Sequence, residues 1–427
     1  MDVLYVNLKR SHSNDMIPAS RIDQAYDNIK EVVIRTPLMR NYNLSKKYQC
    51  NIFLKREDMQ VVRSFKIRGA YNKMKMMHPD TLAKGVTCAS AGNHAQGVAF
   101  ACSALKTHGI IYMPTTTPNQ KITKVKHFGG EWVEIRLVGD TFDVANKVAH
   151  RFSDDEDIPY IHPFNDEDVM AGQGTVAKEI LDDIDVPLDF LLVAVGGGGL
   201  ISGAGSYFRQ KSPGTKIIAV EAEGAPALAE ANKVGHVVHL DKIDSFADGI
   251  AVQMVGDKTF EICKEVVDKL VLVPEGKICS SILYLYNDEA IVVEPAGAIS
   301  FAALDYIKDQ IKGKNVMIIV CGGNNDITRT EEIRERALLW EGRKHYFIVR
   351  FPQRSGALND FLSLLGPDDD IAHFEYTKKT NRDSGPALVG LEFKRKEDFQ
   401  PLVDRMIENN INFEHLNNNP MLFEMLV

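Results

Sequence analysis

Four short segments of this chain combine residue types that can carry out chemistry together. In the first, Arg63–Ala70, one lysine lies between two apolar residues and just ahead of a glycine. The other three are Ser90–His94, the tetraglycine run Gly196–Gly199 and the segment that begins at Cys321. A lysine amine can form a Schiff base, glycine-rich turns can bind anions, and a small polar residue can contact a heterocycle nitrogen. The elements around each segment must bring these groups together.

Lys66 lies between Phe65 and Ile67, where its ammonium group is costly to remove from water. Desolvation lowers the pKa of a lysine, which favours the neutral amine as a nucleophile and as a proton acceptor. Taken alone, the pattern also fits a surface lysine at a strand-to-helix corner, with Phe65 in the core.

Ser90–His94 follows a short apolar run and precedes a predicted helix over Ala95–Leu105. Backbone amides at a helix start are unpaired and carry partial positive charge, so they bind carboxylates or phosphates. Asn93 could donate a hydrogen bond to a phenolate oxygen. The alternative is an ordinary capped helix start with His94 exposed.

Gly196–Gly199 follows a predicted strand over Phe190–Val195 and opens a predicted helix over Gly199–Gln210. Four glycines cost chain entropy and we expect no packing benefit from them, so we predict a close approach of backbone to a phosphate. The spacing fits neither a Walker loop nor a Rossmann loop, and a flexible turn is the alternative. Cys321 closes a predicted strand over Val316–Val320, where plain core packing is the alternative.

In this order, the four segments are the parts that an enzyme with pyridoxal phosphate (PLP) needs. One lysine is available for a Schiff base, two turns can bind anions, and a late polar residue can meet a heterocycle nitrogen. The sequence therefore predicts a PLP enzyme that acts on an amino acid.

The bulk composition is that of an ordinary globular protein, with 427 residues, 44% hydrophobic and 25% charged, and a net charge of −8. Basic residues are scattered and no apolar run is long enough to cross a membrane, so neither nucleic acid nor membrane is expected as a partner. The N-terminus lacks the layout of a secretory signal. The six cysteines are widely spaced, without a Cys-x-x-Cys pair, which indicates a reducing, cytoplasmic location.

The chain divides into three predicted regions. Residues 1–17 are polar and unpatterned, so we predict a loose extension. Residues 18–340 alternate helical stretches with Val- and Ile-rich runs that are typical of parallel strands buried on both faces. Besides the elements named above, they include strands over Ile110–Met113, Ile217–Val220 and Lys269–Val273 and a helix over Phe142–Arg151. This pattern predicts an α/β protein with parallel sheet.

The third region, residues 345–427, has the predicted order βαββαβ, which fits an α+β ferredoxin-like fold. A charged helix over Glu332–Arg343 would connect it to the rest. The predicted strands are His345–Phe351, Ile371–Lys378, Ala387–Phe393 and Asn412–Leu416, and the predicted helices are Gly356–Leu365 and Lys396–Asn409.

Together these motifs resemble the fold-type II (tryptophan synthase β-like) PLP enzymes, and more narrowly the biosynthetic threonine dehydratases. The resemblance extends from about Pro18 to Val427 and implies a two-domain PLP fold with a smaller lobe inserted at about 61–160. It rests on Lys55–Asp58, Ser64–Ala70, Ala89–Gly97, Ala171–Thr175 and Gly196–Leu200.

The resemblance also implies roles for single residues. Lys66 would hold PLP, Phe65 would pack on its ring, and Asn93 would contact its phenolic oxygen. The phosphate would be held by the amides of Gly196, Gly197, Gly198, Gly199 and Leu200, and the substrate carboxylate by Ser90, Ala91, Gly92, Asn93 and His94.

Cys321 would lie next to the pyridine nitrogen, which a neutral thiol cannot protonate, so elimination is favoured over transamination. Three positions separate the chain from related enzymes. Ala91 stands where serine racemases have an acid–base serine, so efficient racemisation is not expected. Those racemases have an acidic metal ligand six positions after the equivalent of Glu221, where this chain has Ala227, although Glu221 could still bind a monovalent cation such as K⁺. Ile67 stands where threonine and cysteine synthases usually have Asp.

The tail resembles the ACT-like regulatory domain of biosynthetic threonine dehydratases through Phe351–Leu358 and Leu364–Pro367. The resemblance implies threonine ammonia-lyase activity, which converts L-threonine to 2-oxobutanoate and ammonia in isoleucine biosynthesis, and L-serine to pyruvate. It further implies isoleucine as an inhibitor, valine as an antagonist, and a homotetramer. The alternatives are a catabolic dehydratase, a racemase, a non-enzymatic amino-acid sensor, and a tail that only supports assembly.

Overall fold

The computed structural model describes residues 5–6, 15–376 and 383–426, and the chain divides into two compact units at residues 326 and 327. The described strands of the first unit are β1 (Tyr5–Val6), β2 (Leu38–Asn41), β3 (Asn51–Lys55), β4 (Val86–Ala89), β5 (Gly109–Met113), β6 (Val133–Leu137), β7 (Phe190–Ala194), β8 (Lys216–Ala222), β9 (Lys269–Val273) and β10 (Asn315–Ile319). Its described helices are α1 (Ala19–Ile29), α2 (Tyr42–Tyr48), α3 (Lys66–Met76), α4 (Pro79–Ala83), α5 (Asn93–Leu105), α6 (Asn119–Gly129), α7 (Phe142–Glu156), α8 (Glu167–Asp183), α9 (Gly199–Lys211), α10 (Ala227–Val234), α11 (Asp257–Val266), α12 (Glu275–Glu289), α13 (Pro295–Ala302) and α14 (Leu304–Ile311).

The larger sheet of this unit has the strand order β1-β9-β8-β7-β10-β3-β2. The five inner strands run parallel, and β1 and β2 pair antiparallel at the two edges. All five residues of β7 are buried, as are four of the five in β9 and in β10. The apolar runs therefore form strands covered on both faces, and the predicted α/β class with parallel sheet is confirmed.

The smaller sheet is also parallel, with the order β4-β5-β6. Its strands lie within the interval 61–160 where an inserted lobe is expected; the boundaries of that lobe stay a prediction. A core that includes Ile67, Val98 and Ile111 joins this sheet to α3 and α5. This packing fixes the starts of α3 and α5, which carry two of the four chemical segments.

Two described parts of the N-terminal segment have partners that its polar composition does not suggest. Tyr5–Val6 pairs with β9 as an antiparallel edge strand. Ile17 is buried, and its backbone N–H donates to the Ser206 hydroxyl at 3.1 Å. The expectation of a loose extension over 1–17 therefore does not hold at these positions, because a sheet edge and a hydroxyl supply partners that sequence pattern cannot reveal.

The second unit begins with α15 (Thr330–Trp340) and contains one antiparallel sheet. Its strands are β11 (Lys344–Pro352), β12 (Asp370–Tyr376), β13 (Ser384–Glu392) and β14 (Asn412–His415), and its remaining described helices are α16 (Ala357–Leu362), α17 (Phe399–Glu408) and α18 (Pro420–Leu426). The strand order is β12-β13-β11-β14, which confirms the predicted ferredoxin-like βαββαβ module. Helix α16 ends three residues before its predicted end at Leu365, where the N–H groups of Leu364 and Leu365 bond three residues back, as in a turn. The predicted end of the second strand, residues 377–378, lies outside the described residues.

Candidate active site

Lys66 is the first residue of α3, and backbone pairing places it beside the end of β10. The N–H of Phe65 donates to the carbonyl of Cys321 at 3.2 Å, and the N–H of Gly323 donates to the carbonyl of Arg63 at 2.9 Å. Helix α5 comes equally near, since a Cβ on Gly97 would lie 3.1 Å from the Lys66 carbonyl. The lysine and Cys321, 255 positions apart in sequence, are therefore held together by main chain.

The amine of Lys66 is in a desolvated environment. Its Nζ donates to the carbonyl of Pro163 at 3.0 Å and lies 5.3 Å from the centroid of the Phe65 ring. Loss of hydration lowers the pKa of Lys66 to about 8, against the weaker opposing effect of nearby Cys321 and Glu294. About a tenth of the amine is then neutral at pH 7, far more than for an ordinary lysine, which favours a role as nucleophile and base.

The glycine loop lies between the end of β7 at Ala194 and the start of α9 at Gly199. Gly198 has a φ of +92°, a conformation that favours glycine. A Cβ on any of the four glycines would lie 2.2–2.8 Å from a neighbouring atom, the closest being the Phe164 ring against Gly197. The expectation that these glycines bring no packing benefit is therefore wrong, because they let the loop backbone pack closely against neighbouring side chains and backbone. The first amides of α9 lack partners inside the helix, as an anion site requires.

The Ser90–His94 loop joins β4 to α5. A Cβ on Gly92 would meet no atom within 4 Å, so the loop has free space on that side. His94 is buried, with Nε2 2.8 Å from the carbonyl oxygen of Ile161, so the alternative of an exposed histidine is wrong. Burial lowers the pKa of His94 to about 3. The imidazole is neutral, with Nε2 engaged and Nδ1 without a hydrogen-bond partner among the described residues, so this loop can bind an anion through its backbone and small side chains.

Cys321 is 2% exposed, and its thiol donates to the carbonyl of Ala296 at 2.9 Å. Burial raises the pKa of the thiol well above its usual range. Cys321 is therefore a neutral group at the wall of the site.

One cavity brings most of the predicted residues together. From the predicted set it is lined by Phe65, Lys66, Asn93, Gly196, Gly197, Gly198, Gly199, Leu200 and Cys321. Ser90, Ala91, Gly92 and His94 are not among its lining residues. Sequence reasoning missed Phe164, Ala194, Gly249, Ile250, Glu294 and Ala296. Of these, only Glu294 carried a signal, as a single acid within the otherwise apolar run 291–299.

Glu221 has a structural role in the described chain. Its two carboxylate oxygens accept the backbone N–H groups of Leu228 and Ala229, at 2.7 and 3.0 Å, in the first turn of α10. Burial raises the pKa of Glu221 to about 8. The residues described contain no group of three or more His, Cys, Asp or Glu side chains that could hold a metal ion. Nor does any helix in the described ranges have the length and apolarity needed to span a membrane.

Comparison with known proteins agrees with this geometry. Residues 29–322 match the model of the family described as pyridoxal-phosphate dependent enzyme, and residues 335–426 match the C-terminal regulatory domain of threonine dehydratase. L-threonine dehydratase biosynthetic IlvA of Bacillus subtilis strain 168 is 57% identical over 415 residues, which are 97% of this chain and 98% of that protein.

The chain belongs to the biosynthetic threonine dehydratase family of PLP-dependent enzymes. The family predicted from the sequence is therefore confirmed. Among solved structures, the processed threonine deaminase isoform 2 of Solanum lycopersicum is similar with a TM-score of 0.72 and 38% identity, covering 79% of this chain and 92% of that one. Maize serine racemase is similar with a TM-score of 0.70 and 30% identity, and the match covers 76% of this chain and 98% of that one.

The cavity of this family member suits PLP by its own construction. Gly196–Gly199 line the cavity and carry no side chains, so their backbone can come close to a phosphate there. An amine with a lowered pKa and a neutral thiol line the same space.

Proposed function

We propose that this chain is a PLP-dependent threonine ammonia-lyase that converts L-threonine to 2-oxobutanoate and ammonia, and L-serine to pyruvate and ammonia. The observation that carries the proposal is that Lys66, the glycine loop Gly196–Gly199 and Cys321 line the same cavity. In such a site Lys66 would hold PLP, Phe65 would contact the ring, Asn93 the phenolic oxygen, and the Gly196–Leu200 amides the phosphate.

The chain's own residues supply the proton chemistry. PLP, when bound, withdraws electrons from the substrate Cα and so acidifies its proton. With a lowered pKa, the Nζ of Lys66 accepts that proton near neutral pH. The carbonyl of Pro163 is placed to hold the amine in position. The C–O bond to the β-hydroxyl then breaks and a double bond forms between Cα and Cβ, and the hydroxyl leaves as water with a proton that balances the one taken from Cα. The enamine product tautomerises to an imine, whose hydrolysis releases ammonia.

The test is 2-oxobutanoate formation from L-threonine by the wild-type protein, by Lys66→Ala and by Lys75→Ala. Lys75 is an exposed lysine of the same helix and serves as the matched control. We expect Lys66→Ala to lose both turnover and the yellow colour of bound PLP, while Lys75→Ala retains both. Turnover by PLP-loaded Lys66→Ala would refute the assignment.

A racemase is the second candidate, because maize serine racemase covers 76% of the chain at 30% identity. Racemisation needs a second acid–base group on the face opposite the lysine, and Ala91 has no proton to transfer. We therefore expect pyruvate from L-serine without D-serine, which chiral chromatography of the reaction distinguishes directly.

We further propose isoleucine as an inhibitor that binds the second unit, with valine as its antagonist. A cavity of about 410 Å³ lies at the predicted Phe351–Leu358 motif, with apolar walls from Leu358, Leu362 and Tyr376 and a guanidinium from Arg354. The apolar groups suit a branched side chain, and Arg354, which already pairs with Asp360 at 2.6 Å, has further N–H groups for a carboxylate.

The effector proposal is tested by placing a polar amide in the cavity wall. Leu362→Gln should raise the isoleucine concentration for half-inhibition by about tenfold or more, since it removes apolar contact. Ile407→Gln alters an exposed residue outside the cavity and should leave that concentration unchanged. Equal half-inhibition concentrations in both variants would exclude this cavity as the isoleucine site, and a wild type that isoleucine does not inhibit would return the module to an assembly role.

The remaining expectations are a homotetramer, a cytoplasmic location and a K⁺ ion near Glu221. All six cysteines are free and buried, which supports a reducing compartment. Light scattering of the purified holoenzyme would test the tetramer.

A further inference from the structure

Glu294 is a buried carboxylate in the wall of the proposed cofactor cavity. It is 3% exposed and lies against the backbone of Gly322, where a Cβ would come within 1.9 Å of its Oε1. Among the described residues it forms no ion pair. Its Oε1 instead accepts a hydrogen bond from Nδ2 of Asn93 at 2.6 Å. Burial raises the pKa of Glu294 to about 7. Near neutral pH the group is therefore about half protonated, and the backbone of Asn324 also hydrogen-bonds to it, so Glu294 is held in the wall by hydrogen bonds and not by a cation.

The hydrogen bonds around Asn93 have a fixed direction. Asn324 donates through Nδ2 to the backbone carbonyl of Val62 at 2.9 Å, and a carbonyl can only accept. Its Oδ1 accepts from Nζ of Lys124 at 3.3 Å, so the orientation of the Asn324 amide is set on both sides. The same Nδ2 donates to Oδ1 of Asn93 at 2.7 Å. The Asn93 amide must therefore present its Nδ2 to Glu294, which accepts.

This arrangement uses one of the two N–H bonds on Asn93 Nδ2 and leaves the other for the cavity that Asn93 lines. If the amide were turned over, its carbonyl oxygen would take that position. An N–H stabilises an ionised phenolic oxygen, whereas a carbonyl oxygen repels it.

We propose that Glu294 and Asn324 are positioning residues that lock the Asn93 amide so that an N–H, and not a carbonyl oxygen, faces the phenolic oxygen of PLP. The inference rests on the proposed function, since it presumes PLP in this cavity. Neither residue needs to touch the reacting atoms: each acts through Asn93.

The test compares Glu294→Met with Glu294→Gln in the full-length protein. Methionine removes the acceptor, whereas glutamine keeps an oxygen that can accept from Asn93. Ser300→Ala is the matched control, because this buried hydroxyl lies in α13, the helix that Glu294 precedes, makes no hydrogen bond among the described residues and does not line the cavity. The readouts are the dissociation constant of PLP and the pH midpoint at which the visible band of bound PLP changes.

We expect Glu294→Met to weaken PLP binding about tenfold and to raise the spectroscopic midpoint by about one pH unit, because the phenolate loses an oriented donor. Glu294→Gln and Ser300→Ala should stay within about twofold of the wild type. A Glu294→Met midpoint equal to that of the wild type would overturn the inference, and so would a Glu294→Gln midpoint displaced as far as that of methionine.

A second variant covers the case in which Glu294→Met does not fold. Asn324→Asp cannot donate to Oδ1 of Asn93, so it should raise the midpoint in the same direction, and an unchanged midpoint would overturn the inference. A failure of the proposed function would look different from a failure of this inference. A wild-type protein without a PLP band would overturn both the proposed function and the inference. A yellow wild type whose variants keep its spectroscopic midpoint would overturn only the role of Glu294 and Asn324.

Discussion

Replacing Arg68 by methionine tests how the helix that begins at Lys66 is anchored. Arg68 is fully buried, two residues after the lysine, and its guanidinium contacts two carboxylates. Four hydrogen bonds of 2.7–2.9 Å join it to Glu57 and Glu179. Lys55, also fully buried, lies 2.6 Å from Glu179, and Thr36 donates to Glu57 at 2.6 Å. The cluster balances two cations against two anions.

The expected cost follows from this balance. Methionine has a similar length but no charge, so Arg68→Met leaves two buried carboxylates with Lys55 as their only buried cation. Breaking a buried pair in this way costs about 3–5 kcal/mol, because an uncompensated charge remains in a low-dielectric interior. An exposed pair contributes far less: Arg151, with a side chain that is 82% exposed, lies 3.4 Å from Asp155. Arg151→Met should change the free energy of unfolding by less than about 0.5 kcal/mol.

The cost also depends on pH, with a sign that the structure fixes. Burial alone would raise the pKa of Glu57, but the Arg68 charge and hydrogen bonds hold it below its usual value. In the wild type this carboxylate stabilises the fold above the unfolded pKa of about 4.3, and the contribution disappears as pH falls through the lower folded value. In Arg68→Met the surplus carboxyl has a raised pKa, so folding takes up a proton and the variant gains stability as pH falls. The difference between the two proteins is therefore largest at pH 7 and smaller at pH 5.

The assay is urea unfolding followed by tryptophan fluorescence at both pH values. The chain has two tryptophans, and in a Trp340→Phe background Trp132 reports on the first unit alone. A loss below about 1 kcal/mol at pH 7, or one of the same size at pH 5, would refute the reasoning, since either result means that the carboxylates are not held by Arg68 in a dry interior.

Three further outcomes are expected. Gly203→Ala should lower the free energy of unfolding by about 2 kcal/mol or more in urea titrations, because its Cβ would lie 2.1 Å from the Met170 carbonyl oxygen, whereas Gly214→Ala, with open space around it, should not. His345, whose Nδ1 lies 3.0 Å from Nε2 of His415, has its pKa lowered to about 4 by burial, so the unfolded chain protonates first and stability falls between about pH 6.5 and 4. His345→Phe should reduce the slope of stability against pH in that range when unfolding is followed by calorimetry. An unaltered slope would contradict the role of His345. Exchange of K⁺ for choline should lower the melting temperature of the holoenzyme, because a bound K⁺ ion near Glu221 would stabilise the fold. Equal melting temperatures in both salts would refute the predicted cation site.

Much of the fold was predictable because local patterns carry it. Uninterrupted apolar runs such as Phe190–Val195 become strands covered on both faces, and this follows from composition alone. Lys66 and the tetraglycine run were also visible, because an amine between apolar residues is costly to desolvate and four adjacent glycines cost chain entropy. These are signals within eight residues of sequence.

The sequence by itself determined the parallel sheets, the ferredoxin-like tail and the four chemical segments. Only the tertiary structure decided what surrounds them. Phe164 and Glu294 reach the cavity from distant elements, and the hydrogen bonds from Val62 through Asn324 to Asn93 span 262 positions of chain. The buried state of His94 and the walls around the glycine loop depend in the same way on neighbours supplied by folding. Chain periodicity encodes which face of an element is apolar, but the direction of a buried hydrogen bond depends on partners brought together across the sheet, and no local pattern contains them.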